Sequence, residues 1–429
     1  MAVNLKEYLP YIKSFFVGCC FFLLLVGYQT TQNFQSGVNK TDGYISIALV
    51  YGCYGISQFF TPFLVHILSP KFSLYFAGVC YVFYIATNVH LLRPLYFIAS
   101  ALCGFGASLI WSASAVLLSG YEQGCKHPSY IYTFFFVPVY FNFFGNVIPL
   151  FVNPSEPALL FLVLTAISAI AVVLMLFTFD SPPTPVGSLK ELLFSTIKNF
   201  INWRLILLFP LALVFGFSRS YYYATMPVMA PIEMTPYIFI SFGAMMTIST
   251  FIWGFLNSKL TEQWTLLIAM TAEAIVVILG IVANEVYLKG ATEAPSDEVG
   301  LNIMICVVGM FGGIADSGME TITTALINKI WPKQVAPLCA WRVVYLGFMC
   351  ADLLYSPYIS FRAILIVLGV IVFFGLICNI TIALFYKKIY KPIEEQNHKE
   401  VSNKESLLSA KQDEKVKDST QVNTTQDEI

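Results

Sequence analysis

Two carboxylates interrupt a long apolar stretch of the chain, LNIMICVVGMFGGIADSGMETITTA at residues 301–325. Asp316 and Glu320 stand four residues apart, so a helix presents them on one face. A carboxylate at the centre of a bilayer costs about 3 kcal/mol on insertion scales, and such groups therefore face a bundle interior, a water-filled cavity or a basic partner. The pair predicts a functional site inside a membrane-spanning bundle.

Glycines precede these carboxylates on the same stretch, at Gly309, Gly312 and Gly313. Small residues in a membrane helix allow the backbone of a neighbouring helix to approach closely. We therefore expect another helix to pack tightly against this one.

Arg342 lies in the next apolar stretch along the chain. In a topology with a cytoplasmic N-terminus, Asp316, Glu320 and Arg342 fall in the cytoplasmic half of the membrane. An arginine fork can bind a carboxylate through two parallel hydrogen bonds. We therefore expect an Asp316–Arg342 contact. It would act either as a gate or ion-coupling switch that breaks as the helices move, or as a permanent clamp between two helices.

Two more ionisable residues lie near the middle of apolar stretches, Arg219 within SRSYYY and Glu273. Arg219 has no acid close to it in sequence, so its charge requires Glu273, Asp352 or a water-filled cavity. A site for an anionic group is the alternative role for Arg219.

Amide side chains form polar stripes on two other predicted helices. Gln29, Gln32 and Asn33 recur at helical spacing, and Asn142 and Asn146 are four residues apart. Such stripes bind a solute through neutral hydrogen bonds or connect helices to one another. The candidate lining of a central cavity therefore consists of Arg219, Glu273, Gln29, Gln32, Asn142 and Asn146.

The composition places the chain in a membrane. Hydrophobic residues make up 57% and charged residues 11% of the 429 residues, and the mean hydropathy is +0.72. About a quarter of the residues of a soluble domain are charged. The net charge of −1 offers no basic field for nucleic acid. No Walker loop, HExxH or GxSxG motif and no CxxC spacing is present, so the sequence predicts no enzyme, cofactor or metal site.

Apolar windows of about 20 residues, separated by polar breaks, predict about twelve transmembrane helices in two sets of six. The windows lie at 14–33, 43–66, 72–90, 94–118, 129–152, 157–179, 204–226, 236–257, 264–287, 301–325, 336–358 and 362–386.

The two sets of helices divide the chain into five segments. These are an N-terminal segment at 1–13, a six-helix bundle at 14–179, a linker with an amphipathic helix at 180–203, a second bundle at 204–386 and a disordered tail at 387–429.

Basic residues are roughly threefold more frequent in the loops on the N-terminal side of the membrane than in the opposite loops. We therefore expect a multi-pass protein with both termini in the cytoplasm. This orientation places the sequon Asn39-Lys40-Thr41 in the first external loop, where Asn39 is a candidate glycosylation site.

Two weak internal matches favour a repeat of the six-helix unit. LLVGYQT at 24–30 resembles LVFGFSR at 213–219, and CGFGASLIWSASA at 103–115 aligns with VGMFGGIADSGME at 308–320. Two repeated halves with both ends on one side are the plan of the major facilitator superfamily. The sequence therefore predicts an all-α polytopic membrane protein with this type of fold.

Several blocks in order resemble the uncoordinated-ninety-three (Unc-ninety-three-like) family, a divergent branch of that superfamily. They are GYQTTQNFQ at 27–35, LSPKFSL at 68–74, GFGASLIWSASAVLL at 104–118, GGIADSGMETITTALI at 312–327 and AWRVVYLGF at 340–348. The similarity extends over residues 14–386. It departs from many members at Met319-Glu320, where they place amide residues.

The resemblance implies several functions. Some members regulate potassium channels, others escort receptors between organelles, and many are orphan carriers. We therefore expect a regulatory or accessory membrane protein whose partners are the lipid bilayer and an ion channel or receptor. The alternative is a proton- or ion-coupled secondary transporter of a small solute. Fold does not choose between them, and the sequence leaves open whether the protein resides in the plasma membrane or an endomembrane.

Overall fold

The computed structural model describes residues 5–122, 129–152, 157–179, 189–288, 298–331, 335–393 and 395–396. Within these ranges the chain is helical and contains no strand. The Pro-rich start of the linker, at 180–188, and most of the tail predicted to be disordered lie outside the described residues.

The described residues form fourteen α-helices. They are α1 (Leu5–Ser57), α2 (Thr61–Leu68), α3 (Pro70–Ala86), α4 (Arg93–Glu122), α5 (Ser129–Tyr140), α6 (Pro157–Met175), α7 (Leu189–Phe200), α8 (Trp203–Ile206), α9 (Phe209–Ser220), α10 (Thr235–Lys259), α11 (Glu262–Val282), α12 (Glu298–Ile330), α13 (Val335–Tyr355) and α14 (Phe361–Ile389).

Nine helical segments of the described residues are long and apolar enough to cross a membrane. The α1 segment contains two crossings because it folds back at Lys40, where φ is 48° and ψ is −128°. The chain bends by 112° between α2 and α3, so α3 is a separate crossing. With the helical stretch at 209–229, the described residues form twelve crossings. Six belong to the first half (α1–α6) and six to the second half (α9–α14).

The largest difference from the predicted spans is at the first turn. The sequence predicts a loop between residues 33 and 43, but helical structure continues to the break at Lys40. Buried amides keep this segment inside the bundle, as Gln35 Nε2 donates to Asn88 Oδ1 over 2.7 Å. The reversal is tight because a Cβ at Gly43 would lie 2.1 Å from the Gln35 carbonyl oxygen.

Departures from α-helical geometry follow α5 and α9 within their crossings. After α5, a 3-10 helix spans Phe141–Phe151 and contains Pro149, which lacks an amide hydrogen for helical bonding. After α9, a π-helix spans Tyr221–Thr225 and a 3-10 helix spans Met226–Met229. Single π-turns are frequent at functional sites, and this one carries two of the tyrosines that contact buried carboxylates.

The glycines of α12 form a close contact with α10, which confirms the expectation from sequence. A Cβ at Gly313 would lie 2.1 Å from the carbonyl oxygen of Phe242, and one at Gly309 would lie 3.1 Å from that of Ile238. Such an approach leaves no room for a side chain. The rigid packing of α10 against α12 holds the backbone that carries Asp316.

The two halves meet along two seams. In the α1–α13 seam, a Cβ at Gly52 would lie 2.9 Å from Cys350 Sγ, and one at Gly55 would lie 3.2 Å from Leu346 Cβ. In the second seam, Thr247 of α10 donates to the Tyr140 carbonyl oxygen over 3.1 Å. Small residues and side-chain hydrogen bonds are the usual means by which membrane helices associate.

The helix α7 lies between the two halves along the chain and contacts both of them. The ring of Phe200 lies 5.8 Å from the ring of Phe59 in the first half and 5.7 Å from that of Phe209 in the second. Phe194 and Ile197 remain exposed, as expected for a helix that lies on a membrane surface. The Tyr390 hydroxyl donates to the Arg204 carbonyl oxygen over 2.9 Å, so the end of α14 lies beside the linker.

Candidate functional site

A buried ion pair joins α9 and α12 in the second half. Arg219 Nε donates to Asp316 Oδ1 over 2.7 Å, and its Nη2 donates to Oδ2 over 3.2 Å. The side chain of Asp316 is fully buried, and that of Arg219 is 14% exposed. Two parallel hydrogen bonds hold the guanidinium and carboxylate in one plane. This arrangement satisfies two charges that would each be costly alone inside a membrane.

Glu320 completes an ion-pair cluster of three residues, Arg219, Asp316 and Glu320. Arg219 Nη2 lies 3.0 Å from Glu320 Oε2, although this carboxylate oxygen has no hydrogen bond of good geometry. The Glu320 side chain is 30% exposed. Exposure therefore increases along α12 from Asp316 to Glu320, and Glu320 is the accessible member of the cluster.

Aromatic side chains enclose the cluster. The Arg219 guanidinium carbon lies 4.3 Å from the centroid of the Phe215 ring and 5.9 Å from that of Tyr345. Tyr223, on the π-helix, donates to Asp316 Oδ2 over 3.5 Å. A cation over an aromatic face is stabilised by the ring quadrupole, so these residues hold Arg219 in place.

The partner of Asp316 is therefore Arg219, and the predicted Asp316–Arg342 contact is wrong. Arg342 makes no ion pair and no side-chain hydrogen bond to the described residues, and its Nε is buried without a partner. Charge and membrane depth suit either arginine equally. The choice depends on how α9 packs beside α12, which a pattern of apolar windows does not encode.

Glu273 is not the partner of Arg219 either. The Tyr222 hydroxyl donates to Glu273 Oε2, while Oε1 has no partner among the described residues. Asp352, the other acid considered, is buried near the end of α13, and its backbone carbonyl accepts a hydrogen bond from Ser356. Two neighbouring tyrosines of the π-helix thus contact different acids. Tyr222 contacts Glu273, and Tyr223 contacts Asp316 of the ion-pair cluster.

The predicted amide stripes largely connect helices. Tyr51 donates to Gln32 Oε1 over 3.0 Å, and Asn33 Nδ2 donates to Asn146 Oδ1 over 2.9 Å. Asn142 donates to the Val139 carbonyl oxygen of its own helix over 2.8 Å. Gln29 is half-buried. These contacts favour the packing role for Asn146.

Gln32 also faces the second half. Its partner Tyr51 interacts electrostatically with Arg219 and Asp316. The Gln32 Nε2 group is buried without a partner. A cavity lined by both Gln32 and Arg219 stays a prediction.

A cavity of about 210 Å³ lies elsewhere, between the two halves. It is next to the part of α1 just before the break at Lys40. Phe34, Val38, Pro149, Ile232 and Glu233 contribute to its mainly apolar wall. None of the residues predicted to line a central cavity borders it.

Sequence reasoning missed the tyrosines that organise the site. Tyr222 and Tyr223 contact Glu273 and Asp316, and Tyr51 donates a hydrogen bond to Gln32. The signal available was the run SRSYYY at 218–223, since three consecutive phenols in a membrane helix each require a partner.

Asn39 is held within a polar network at the turn between the first two crossings. Its Nδ2 donates to Asn88 Oδ1 over 3.2 Å and to Tyr96 Oη over 3.3 Å. Tyr96 in turn donates to Gln35 Oε1. The amide that a glycan would modify is thus bonded inside the fold, because the segment predicted as an external loop is helical.

Comparisons with known proteins agree on a family and a fold. A family model described as ion channel regulatory protein UNC-93 matches residues 34–380. UNC93-like protein 3 of Arabidopsis thaliana is 24% identical over 389 residues, which cover 81% of each chain. The putative potassium channel regulatory protein unc-93 of Caenorhabditis elegans is 34% identical over 113 residues, which are 25% of this chain and 15% of that protein.

A solved structure of a POT family transporter in complex with 5-aminolevulinic acid aligns with a TM-score of 0.69 and 11% identity. The alignment covers 88% of this chain and 96% of that one. At this identity the likeness concerns the fold alone. The all-α, twelve-helix architecture of the major facilitator type is thereby confirmed.

Proposed function

This chain belongs to the UNC-93 family of ion channel regulatory proteins, and we propose on that premise that it is a regulatory or accessory subunit of another membrane protein. The match over residues 34–380 carries the proposal, because it includes nearly all the crossings. The helical scaffold would present its surfaces to a potassium channel, or to a receptor that it accompanies between membranes.

The buried charges have a stabilising role in this proposal. Arg219, Asp316 and Glu320 connect α9 to α12, and Arg342 lies on α13 beside them without an ion pair. Removal of one partner from a buried pair leaves an uncompensated charge, which costs about 3–5 kcal/mol. The cluster would therefore act as a clamp that keeps the second half in one shape while the protein contacts its partner.

Both termini would face the cytoplasm. The bias of basic residues supports this orientation, and α8, which follows the linker, and the end of α14 share one side of the bundle through the Tyr390–Arg204 hydrogen bond. The accessible side of the cluster, at Glu320, would then open towards the cytoplasm.

A secondary transporter is the second candidate, and the position of the cluster favours it. Tyr51 and Tyr54 of α1 interact electrostatically with Asp316 and Glu320 respectively. The charges therefore face the boundary between the halves, where transporters of this fold bind solutes and ions. In this alternative, Asp316, Glu320 and Arg342 would couple an ion to the movement of the halves.

A cross-link across the α1–α13 seam distinguishes the two functions. A Cβ at Gly52 lies 3.8 Å from the Cβ and 2.9 Å from the Sγ of Cys350, which suits a disulfide. Gly52→Cys should therefore form a bond with native Cys350 under oxidation and prevent the halves from separating there. A regulatory scaffold tolerates this lock, whereas alternating access does not.

The measurements are the current of a co-expressed potassium channel and proton flux into vesicles that contain the purified protein. Regulation predicts that the protein changes the current and that Gly52→Cys retains this effect after oxidation. Flux that disappears on oxidation and returns on reduction would instead establish the transporter. Gly347→Cys is the matched control, because its Cβ has no neighbouring atom within 4 Å, and Cys350→Ser in the Gly52→Cys background removes the cross-link.

A further inference from the structure

Arg342 is the arginine of the site that lies outside the ion-pair cluster. It is half-buried on α13, its Nε is buried without a partner, and the described residues give it no ion pair. An uncompensated charge that is partly removed from water costs several kcal/mol in a protein interior. The neighbouring arginine, Arg219, shows what compensation requires, since two carboxylates lie within 3.2 Å of its nitrogens.

Two tyrosines, one from each half, lie near this cation. Tyr54 of α1 interacts electrostatically with Arg342, as does Tyr345 of α13. A Cβ at Gly55, the residue after Tyr54, would lie 3.7 Å from the carbonyl oxygen of Val343, the residue after Arg342. The contact between α1 and α13 therefore lies beside both side chains at the boundary between the halves.

The chemistry of these donors is selective. The guanidinium presents pairs of parallel N–H groups whose spacing matches the two oxygens of a carboxylate or phosphate. A phenol supplies one further donor to the same group. Neutral solutes would leave the positive charge uncompensated, and a cation would be repelled.

We propose that Arg342 and Tyr54 form a binding site for an oxyanion at the boundary between the two halves. The ligand carries a carboxylate or phosphate group, which is supplied by a small soluble anion or by a lipid headgroup. This site is independent of channel regulation, because it requires only the static arrangement of α1 and α13.

Glu320 is the internal competitor for this site. Its carboxylate interacts electrostatically with both Tyr54 and Arg342, and it is 30% exposed towards the same region. Its negative charge partly compensates Arg342 and repels an incoming anion. Removal of the Glu320 charge should therefore strengthen anion binding at Arg342. The same change removes the ion pair between Glu320 and Arg219.

The experiment measures thermal unfolding of the full chain in nanodiscs of phosphatidylcholine, with sodium benzoate or inorganic phosphate as the probe. A ligand that binds the folded state raises the unfolding midpoint in proportion to its saturation. Sodium chloride at matched ionic strength controls for salt effects. Nanodiscs with added phosphatidic acid supply the lipid headgroup in place of the soluble anion.

The wild-type protein should show a saturable rise with benzoate or phosphate. Arg342→Gln should weaken the apparent affinity by about tenfold or more, since it removes hydrogen bonds between the charged guanidinium and the anion. Glu320→Gln should strengthen it. Arg362→Gln should leave it unchanged, because Arg362 is 65% exposed and pairs with Glu285.

Tyr54→Phe keeps the binding test decisive if Arg342→Gln fails to fold. This variant removes one hydroxyl and no charge, and it should weaken the response to both probes. A response only to phosphatidic acid assigns the ligand to a lipid headgroup, and a response to the soluble probes assigns it to a free anion. The proposal is overturned if no oxyanion gives a saturable rise above chloride, or if Tyr54→Phe and Arg342→Gln bind as the wild type does.

Discussion

Arg219 of α9 and Asp316 of α12 form a two-point ion pair across 97 residues of sequence, with N–O distances of 2.7 and 3.2 Å. The pair lies in the second half, and Glu320 adds a third charge at its accessible edge. Because α9 and α12 are otherwise joined by few polar contacts among the described residues, this pair determines how the two helices are aligned.

Removal of Asp316 should destabilise the protein strongly. Asp316→Asn leaves the guanidinium of Arg219 without its main counter-ion in a buried position, and such losses cost about 3–5 kcal/mol. We expect a large decrease in the unfolding midpoint of the purified protein, and a partial recovery in the double variant Arg219→Leu/Asp316→Leu. Arg362→Gln is the control, since an exposed pair contributes about 0–1 kcal/mol. Equal midpoints for Asp316→Asn and Arg362→Gln would argue against the clamp.

A methyl group at Gly313 should disturb the packing of α10 against α12. Its Cβ would lie 2.1 Å from the Phe242 carbonyl oxygen, and overpacking of this kind costs about 1–3 kcal/mol. Gly313→Ala should therefore lower the unfolding midpoint. Gly254→Ala on α10 makes the same chemical change where no atom lies within 4 Å. A Gly313→Ala variant as stable as Gly254→Ala would show that the helices are further apart.

Asn39 should carry no glycan in the folded protein. Its Nδ2 is bonded to Asn88 and Tyr96, and a sugar would have to replace one of these contacts within a helical segment. Treatment of the cell-expressed protein with an N-glycosidase should leave its electrophoretic mobility unchanged, and Asn39→Gln should migrate like the wild type. A mobility shift that Asn39→Gln abolishes would mean that this turn is open when the chain enters the membrane.

Truncation of Phe200 should release the linker helix. Its ring contacts Phe59 and Phe209 from opposite halves, so Phe200→Ala removes the apolar contact that holds α7 to the bundle. Local opening exposes a chain to proteases, and we expect faster limited proteolysis in the linker. Phe194→Ala is the matched control because that side chain is 59% exposed. Identical cleavage rates for the two variants would contradict the docking role of Phe200.

The sequence by itself determined the number of crossings and the close packing around the glycines of α12. The physical reason is that a bilayer requires every backbone polar group to be bonded within the chain, so a long apolar window becomes a helix. Residue type along one helix also identified Asp316 and Glu320 as buried functional candidates, since hydrocarbon makes unpaired carboxylates costly.

Only the tertiary structure decided which groups meet. Arg219 and Arg342 are both arginines at suitable depth, and the packing of α9 beside α12 selected Arg219 as the partner of Asp316. The π-helix at Tyr221–Thr225 decided the contacts of Tyr222 and Tyr223, because one wider turn changes the direction of every side chain that follows it. Contacts between residues about a hundred positions apart depend on which helices pack together. The periodicity of apolar residues along one helix does not identify the neighbouring helix that a polar side chain contacts.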